Sequence, residues 1–316
     1  MASMLPRAVH SAFRQTHPPI EIIVVDDGST DDTQEVLARL ADEVPILRFT
    51  RQENAGNAAA KNTGVAMSEG QWIGLLDADD VWTPDRLQRQ IDLIKENPTL
   101  RWAAGAYTRV TYGDDDSRNE IDRSTLSQNI VEGGDGSYDA LEMIVGETSL
   151  WIGTVLAHRD LFDRLGVFND QLKGCDDSEL WLRFALCYSD IGFVSTPIAD
   201  YTVAQGQSLT GVAARRVEPS QFLHYELLKR IAEESPGDVR EKVLTVLNRK
   251  INGSMSALIR TGSTWEARKF LRELRSRSLP TPKLTWRLFA GLPQSIMRRI
   301  VPFIKSLRYY MTESAK

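Results

Sequence analysis

The sequence predicts an α/β fold over residues 1–215, a parallel sheet flanked by helices, followed by a helical and basic appendage over 216–316. Three observations predict it. Short apolar, often β-branched runs alternate with helix-like segments through the first hundred residues, as they do when strands are joined by crossover helices. Two of these runs end in acidic turns, Asp26-Asp27-Gly28-Ser29 and Asp77-Ala78-Asp79-Asp80, where the strand tips of an α/β sheet open on a cleft. From about Gln221 onward the strand signals cease, and helical spacing is broken only by Pro236-Gly237, Gly262, Pro280-Thr281-Pro282 and Pro293.

Each element has a local reason. Glu21-Ile22-Ile23-Val24-Val25 is β-branched and reads as the first strand. Asp32 and Glu35 are spaced as a capping box, so a helix should run from about Thr33 to Leu40, with Pro45 barring its continuation. Ile46-Leu47-Arg48-Phe49 reads as the next strand, and Gly56-Asn57 opens an alanine-rich helix that closes between Met67 and Gly70. Trp72 to Leu76 is an apolar run suited to a strand buried on both faces of a parallel sheet. Thr83-Pro84-Asp85 places a cap, a first-turn proline and an acid ahead of a helix that ends before Asn97-Pro98. Tyr107 to Gly136 loses periodicity and carries Asp114-Asp115-Asp116 and Gly133-Gly134-Asp135-Gly136, marks of a surface excursion that holds no ligands. Leu150 to Leu156 returns to strand character, and Arg159 to Leu165 is a short helix ended by Gly166. Leu180, Phe184 and Cys187 then set helical spacing behind Asp176-Asp177.

Bulk properties exclude several classes. With 42% hydrophobic and 26% charged residues, the chain has the composition of a globular protein rather than a disordered one. Two cysteines, Cys175 and Cys187, make no disulfide framework and no paired metal-ligand spacing, which fits a reducing compartment. No run of about 18 apolar residues exists and the first residues lack a secretory apolar core, so a cytoplasmic protein is expected. Residues 221–316 hold 19 Lys and Arg against 8 Asp and Glu, whereas residues 1–220 hold 19 against 35. That asymmetry suits either an anionic partner, such as the inner face of a membrane, or a plainly solvated helix face. Ile296 to Met311 mixes basic and bulky apolar residues, as an interfacial helix does and as a helix packed on its own core also can. No nucleic-acid partner is expected, and His10, His17, His158 and His224 show no ligand spacing.

The chemistry rests on carboxylates. Asp77, Asp79 and Asp80 fall within four residues at a strand tip, and hard oxygen ligands there favour Mg²⁺ or Mn²⁺, ions that commonly accompany a phosphate-bearing substrate. A solvated acidic turn is the plainer alternative. Asp176 and Asp177 stand at the start of a helical segment, where the helix dipole alone would favour them.

Taken in order, the clusters resemble a known family. Ile22 to Asp31, Asn54-Ala55-Gly56 with Ala60-Lys61-Asn62, Leu76-Asp77-Ala78-Asp79-Asp80, and Asp176-Asp177 before Leu180-Trp181-Leu182-Arg183 are similar to the successive motifs of family-2 glycosyltransferases, over about residues 4–210. The resemblance implies a GT-A fold (a Rossmann-like mixed sheet flanked by helices), a nucleotide-diphosphate-sugar donor such as a UDP-sugar, a divalent metal (Mn²⁺ or Mg²⁺), and inversion at the anomeric carbon. It further implies a glycan or lipid-linked acceptor in surface polysaccharide synthesis. By the same resemblance Asp27 would hydrogen-bond the uracil, with Asp26 helping to position it, and Lys61 would face the diphosphate in place of the family's usual arginine. Asp77 would face the ribose or sugar, Asp79 or Asp80 would hold the metal, and Asp177 would be the catalytic base, with Asp176 in place of the usual glutamate.

Two departures accompany the resemblance. The family's first, central strand and its Pro-x-Tyr-Asn-like turn have no counterpart ahead of Leu5, which implies a misassigned start or a damaged protein. Tyr201-Thr202-Val203-Ala204 stands where many members have a Tyr-Arg-Val-His-like stretch. The rival reading is therefore a non-catalytic relative that serves as a binding or scaffold protein. A sugar nucleotidyltransferase is disfavoured because no glycine-rich nucleotide loop opens the chain.

Overall fold

The computed structural model describes residues 2–113, 117–126, 128–146, 148, 150–172, 176–203, 219–260, 263–283, 287 and 290–291. Asp114-Asp115-Asp116, Cys175, Ala204 and the segment Ile296 to Met311 lie outside the described residues. The chain forms two compact units, Met1–Gln205 and Gly206–Lys316.

The first unit opens with α1 (Leu5–Phe13), which has a proline in its first turn and buries Leu5, Ala8, Val9 and Ala12 along one stripe. Then follow β1 (Ile22–Asp27), α2 (Thr33–Glu43), β2 (Leu47–Gln52) and α3 (Asn57–Met67). Strands β1 and β2 pair in parallel, Ile22 opposite Leu47 and Asp27 opposite Gln52. Helix α2 runs one turn past Leu40, because Val36, Leu37 and Leu40 bury its apolar stripe with Val44 and Pro45 arrives only afterwards. The Asp32 capping box does not form; Asp31 Oδ1 instead accepts from the Thr33 backbone N–H at 3.3 Å and its hydroxyl at 2.5 Å.

Next come β3 (Trp72–Gly74), β4 (Val81–Trp82), α4 (Arg86–Glu96), β5 (Trp102–Gly105), β6 (Thr108–Tyr112), β7 (Arg118–Arg123), α5 (Gln128–Gly133), β8 (Gly136–Asp139) and α6 (Ala140–Val145). Two expectations are corrected here. The apolar run from Trp72 is a strand for three residues only, and its partner β9 (Leu156–His158) is antiparallel, not parallel. The supposed excursion from Tyr107 to Gly136 contains β6, an exposed hairpin partner β7, and α5 with Ile130 fully buried. Its polar composition marks a hairpin whose outer strand, β7, is exposed along its whole length, not a loop.

Residues 150–156 supply a third correction. Ile152–Thr154 is a 3-10 turn and only Leu156 enters β9, because Trp151 and Ile152 carbonyls accept from Thr154 and Val155 N–H groups. The unit closes with α7 (Arg159–Leu165), α8 (Asp176–Cys187), β10 (Asp190–Val194) and β11 (Ala199–Thr202). A five-stranded mixed sheet has the order β3-β9-β5-β10-β8, and a four-stranded one the order β4-β11-β6-β7. Among the described residues β1 pairs with β2 alone and β3 with β9 alone. Trp102, Trp181, Phe184 and Phe168, all nearly inaccessible, form the aromatic core between β5 and α8. Arg86 is fully buried, stacks 3.7 Å from the Trp82 ring centroid and donates to the Val155 carbonyl, so α4 fixes the chain just beyond the 3-10 turn.

The second unit comprises α9 (Pro219–Glu234), α10 (Gly237–Arg260) and α11 (Thr264–Ser276). Phe222 and Tyr225 of α9 meet Phe270 of α11 at 5.4 and 6.2 Å between ring centroids. Val243, Leu247, Ile251 and Met255 bury the stripe of α10. No helix of the described residues is long and apolar enough to cross a membrane.

Candidate active site

The first acidic turn is a closed piece of architecture. Asp26 is 3% exposed; its Oδ1 accepts from the Ser29 N–H at 2.8 Å, its Oδ2 takes the Gln34 amide, and Arg51 lies 3.8 Å away. Burial pushes its pKa up, but bonds from Ser29 and Gln34 and the Arg51 charge outweigh that and hold it below the usual carboxylate range. Asp27 Oδ1 accepts from Gln52 Nε2 (2.8 Å) and the Ala55 N–H (2.9 Å), and Oδ2 from the Gly56 N–H (2.8 Å). Desolvation raises its pKa and these three donors more than reverse the effect. Gly28, at φ +74°, lets the turn come so close to Asn54 that a Cβ would sit 2.9 Å from the Asn54 nitrogen. The first turn thus holds residues 54–56 in place, and Gly56, itself at φ +93°, starts α3.

One turn into α3, Lys61 carries the connection onward. Its Nζ lies 2.9 Å from Asp176 Oδ2, with the two side chains 11% and 8% exposed, and 5.1 Å from the Phe168 ring centroid. Asn62 makes a reciprocal pair with the Phe168 backbone, at 2.8 and 2.9 Å, tying the segment before α8 to α3. Asp176 and Asp177 occupy the first turn of α8, where Asp177 Oδ1 accepts from the Ser178 N–H at 2.6 Å. Unpaired N–H groups at a helix start stabilise such anions.

The second acidic turn closes tightly between β3 and β4, with the Asp80 N–H donating to the Asp77 carbonyl at 3.1 Å. Desolvation raises the Asp77 pKa to about 6; Lys61 opposes this, whereas Asp79, Asp177 and Asp176 add to it. The same cause raises Asp79, with Arg7 opposing. Asp80 is 1% exposed, and its Oδ1 accepts from the Thr202 N–H of β11 at 2.7 Å. Desolvation, then repulsion by Asp79, brings its pKa to about 9 despite that bond.

The structure therefore brings Asp77, Asp79, Lys61, Asp176 and Asp177 into one electrostatic cluster, while Asp26 and Asp27 act on residues 54–56 at the head of the same helix that bears Lys61. Among the described residues no group of three or more His, Cys, Asp or Glu side chains is arranged to hold an ion unaided. A divalent ion held by one or two carboxylates and the phosphates of its substrate fits this donor set, and the crowding of carboxylates around Asp77 is the repulsion that such a cation would relieve. Sequence reasoning missed a second network: Asp200 accepts from Arg118 at 2.6 Å through both oxygens and from the Tyr112 hydroxyl at 2.9 Å, with Arg7 3.6 Å from the Tyr112 ring centroid. Its partners come from β6, β7, β11 and α1, so no local pattern announces it.

The chain is 35% identical over 91 residues (28% of this chain, 35% of the relative) to a putative teichuronic acid biosynthesis glycosyltransferase, TuaG, of Bacillus subtilis. Its first curated relatives are matched over only about a third of their own length. The structure of S. aureus TarS residues 1–349 with UDP-GlcNAc aligns with a TM-score of 0.59 at 18% identity, covering 84% of this chain and 72% of that one. The mannosyltransferase PcManGT of Pyrobaculum calidifontis, solved with GDP-Man and Mn²⁺, aligns at 0.56 and 18% identity, covering 97% and 84%. The fold is accordingly GT-A. The family model described as glycosyl transferase family 2 matches residues 2–134, and over that segment, with these motifs and this fold, the chain belongs to that family.

Proposed function

We propose that this chain is a metal-dependent, inverting glycosyltransferase that moves a sugar from a UDP-sugar to an acceptor hydroxyl in the synthesis of a surface glycan. The observation that carries the reading is that Lys61 of α3, Asp79 of the β3–β4 turn, and Asp176 and Asp177 of α8 all bear on the charge of Asp77 in that same turn, with Lys61 paired to Asp176. The TuaG likeness supports the glycan assignment, and the nucleotide-sugar and Mn²⁺ complexes of the two structural neighbours support the donor class and the ion. Bound Mn²⁺ or Mg²⁺ would stabilise the negative charge that develops on the leaving diphosphate.

The residues divide the work by position. Asp79 is assigned the ion, because Asp80 is buried and spends an oxygen on Thr202. Asp77 is assigned the ribose or sugar hydroxyls. Lys61, on swinging away from Asp176, would set its charge against the diphosphate. Asp27 is assigned the nucleobase, which would have to share acceptors now used by Gln52 and residues 55–56. Asp177, at the mouth of α8, is assigned the acceptor proton, a transfer that a positioned carboxylate accelerates by about 10² to 10⁴.

A panel of UDP- and GDP-sugars with Mn²⁺, assayed for nucleotide release, tests the reading. Asp177→Asn should keep UDP affinity and lose transfer by about two to four orders of magnitude. Transfer at the wild-type rate in that variant would remove Asp177 from the chemistry, and preference for GDP-sugars would overturn the donor assignment.

A further inference from the structure

Tyr107, Trp151 and Tyr201 meet beside the acidic turn with ring centroids 5.0, 5.2 and 6.1 Å apart and interplanar angles of 57°, 73° and 69°. They come from three separate places: the turn between β5 and β6, the residue before the 3-10 turn, and β11. All three are half-buried. By contrast, Trp102, Trp181, Phe184 and Phe168 of the same unit are at most 2% exposed.

The place of the three rings is specific. Trp151 packs on the same apolar cluster as Leu76, and Leu76 immediately precedes Asp77. Tyr201 immediately precedes Thr202, whose N–H donates to Asp80. The aromatic group therefore flanks the acidic turn through both of its ends. The indole is also held in orientation: it lies across Gly153, where a Cβ would fall 2.2 Å from the ring, and the Gly153 carbonyl accepts from Trp82 Nε1 at 3.0 Å. Such a group is preformed, three half-buried rings held by a packed layer.

We propose that Tyr107, Trp151 and Tyr201 form a stacking platform for a pyranose ring of the acceptor glycan. The C–H face of a pyranose carries partial positive charge and suits the negative face of an aromatic ring. A sugar held here would lie beside the Asp77–Asp80 turn. This platform rests on the glycosyl-transfer reading and gives that reading its acceptor class, a ring-bearing carbohydrate.

The test uses the full chain with Mn²⁺ and UDP, and saturation-transfer NMR on a panel of methyl pyranosides: glucoside, galactoside, mannoside, glucuronide and the two N-acetylhexosaminides. At least one should receive saturation from the wild type, and Trp151→Leu and Tyr107→Leu should each cut that signal fivefold or more while the UDP-induced rise in Tm persists. Tyr107→Leu guards against misfolding of the Trp151 variant, since both must still melt cooperatively. Equal signal in the Tyr107 variant, or no pyranoside signal in a wild type that responds to UDP, overturns the platform alone. Loss of the UDP response in the folded variants would make the rings a nucleobase shelf and likewise overturn it. A wild type that ignores UDP with Mn²⁺ overturns the UDP-sugar reading beneath it.

Discussion

Lys61 and Asp176 stand 115 positions apart in the chain and 2.9 Å apart in space, with little of either side chain in water. Breaking a buried ion pair from one side leaves the other charge unsolvated and costs about 3–5 kcal/mol. Lys61→Met should therefore lower the unfolding free energy by about 3 kcal/mol, and Lys61→Met combined with Asp176→Asn should recover part of it, as urea denaturation would show. Additive losses would mean that the pair is solvated in solution. Lys61 was legible only through the family resemblance, at the place of the family's usual arginine, and Asp176 as an acid at a helix start, but nothing local joins the two. The same holds for Asp80. Its place beside Asp79 offered it as an ion ligand, and nothing in the sequence signals its burial or the bond to Thr202 that ties the β3–β4 turn to β11.

At the scale of elements, periodicity was a sound guide wherever a stripe is buried. Helices α3 and α7 end where glycine or the loss of apolar spacing says they should. It failed at Leu150 to Leu156, where a 3-10 turn replaces the start of a strand, and at Tyr107 to Gly136, where exposed β7 carries no apolar alternation to read. Among the helices of the second unit, α9 holds a testable charge. His224 is 1% exposed, neither ring nitrogen has a hydrogen-bond partner, and burial followed by repulsion from Lys250 lowers its pKa to about 3. A group held neutral in the folded state contributes fully above the unfolded pKa near 6.5, and that contribution is lost as pH falls from there toward 3. The loss approaches about 1.4 kcal/mol per pH unit for one proton. His224→Leu should flatten the pH dependence of unfolding between pH 6.5 and 4, and an unchanged slope would show that the imidazole reaches water.

At the scale of the whole chain, the family match ends at residue 134 while the proposed base and the partner of Lys61 lie at 177 and 176, so the site is assembled from both inside and outside the matched segment. The order of motifs was readable because family resemblance preserves sequence order. What sequence order conceals is the pairing of strands: β4 joins β11, and β9 inserts between β3 and β5, contacts over more than 50 residues that bring the 3-10 turn beside the acidic loop. The basic balance of residues 221–316 makes a further prediction for the full chain: flotation with vesicles containing anionic lipid should exceed flotation with neutral vesicles, and should fall as salt rises. Equal partition to both vesicle types would leave the charge as a solvated face.

The most direct measurement is calorimetric titration of UDP into the wild type and Asp79→Asn, each with Mn²⁺ and with chelator. Metal-dependent donor binding requires UDP to bind the wild type with Mn²⁺ and to weaken about tenfold or more, at least about 1.4 kcal/mol, on chelation or in the variant. UDP binding that is absent, or indifferent to both Mn²⁺ and Asp79, would contradict the site described here.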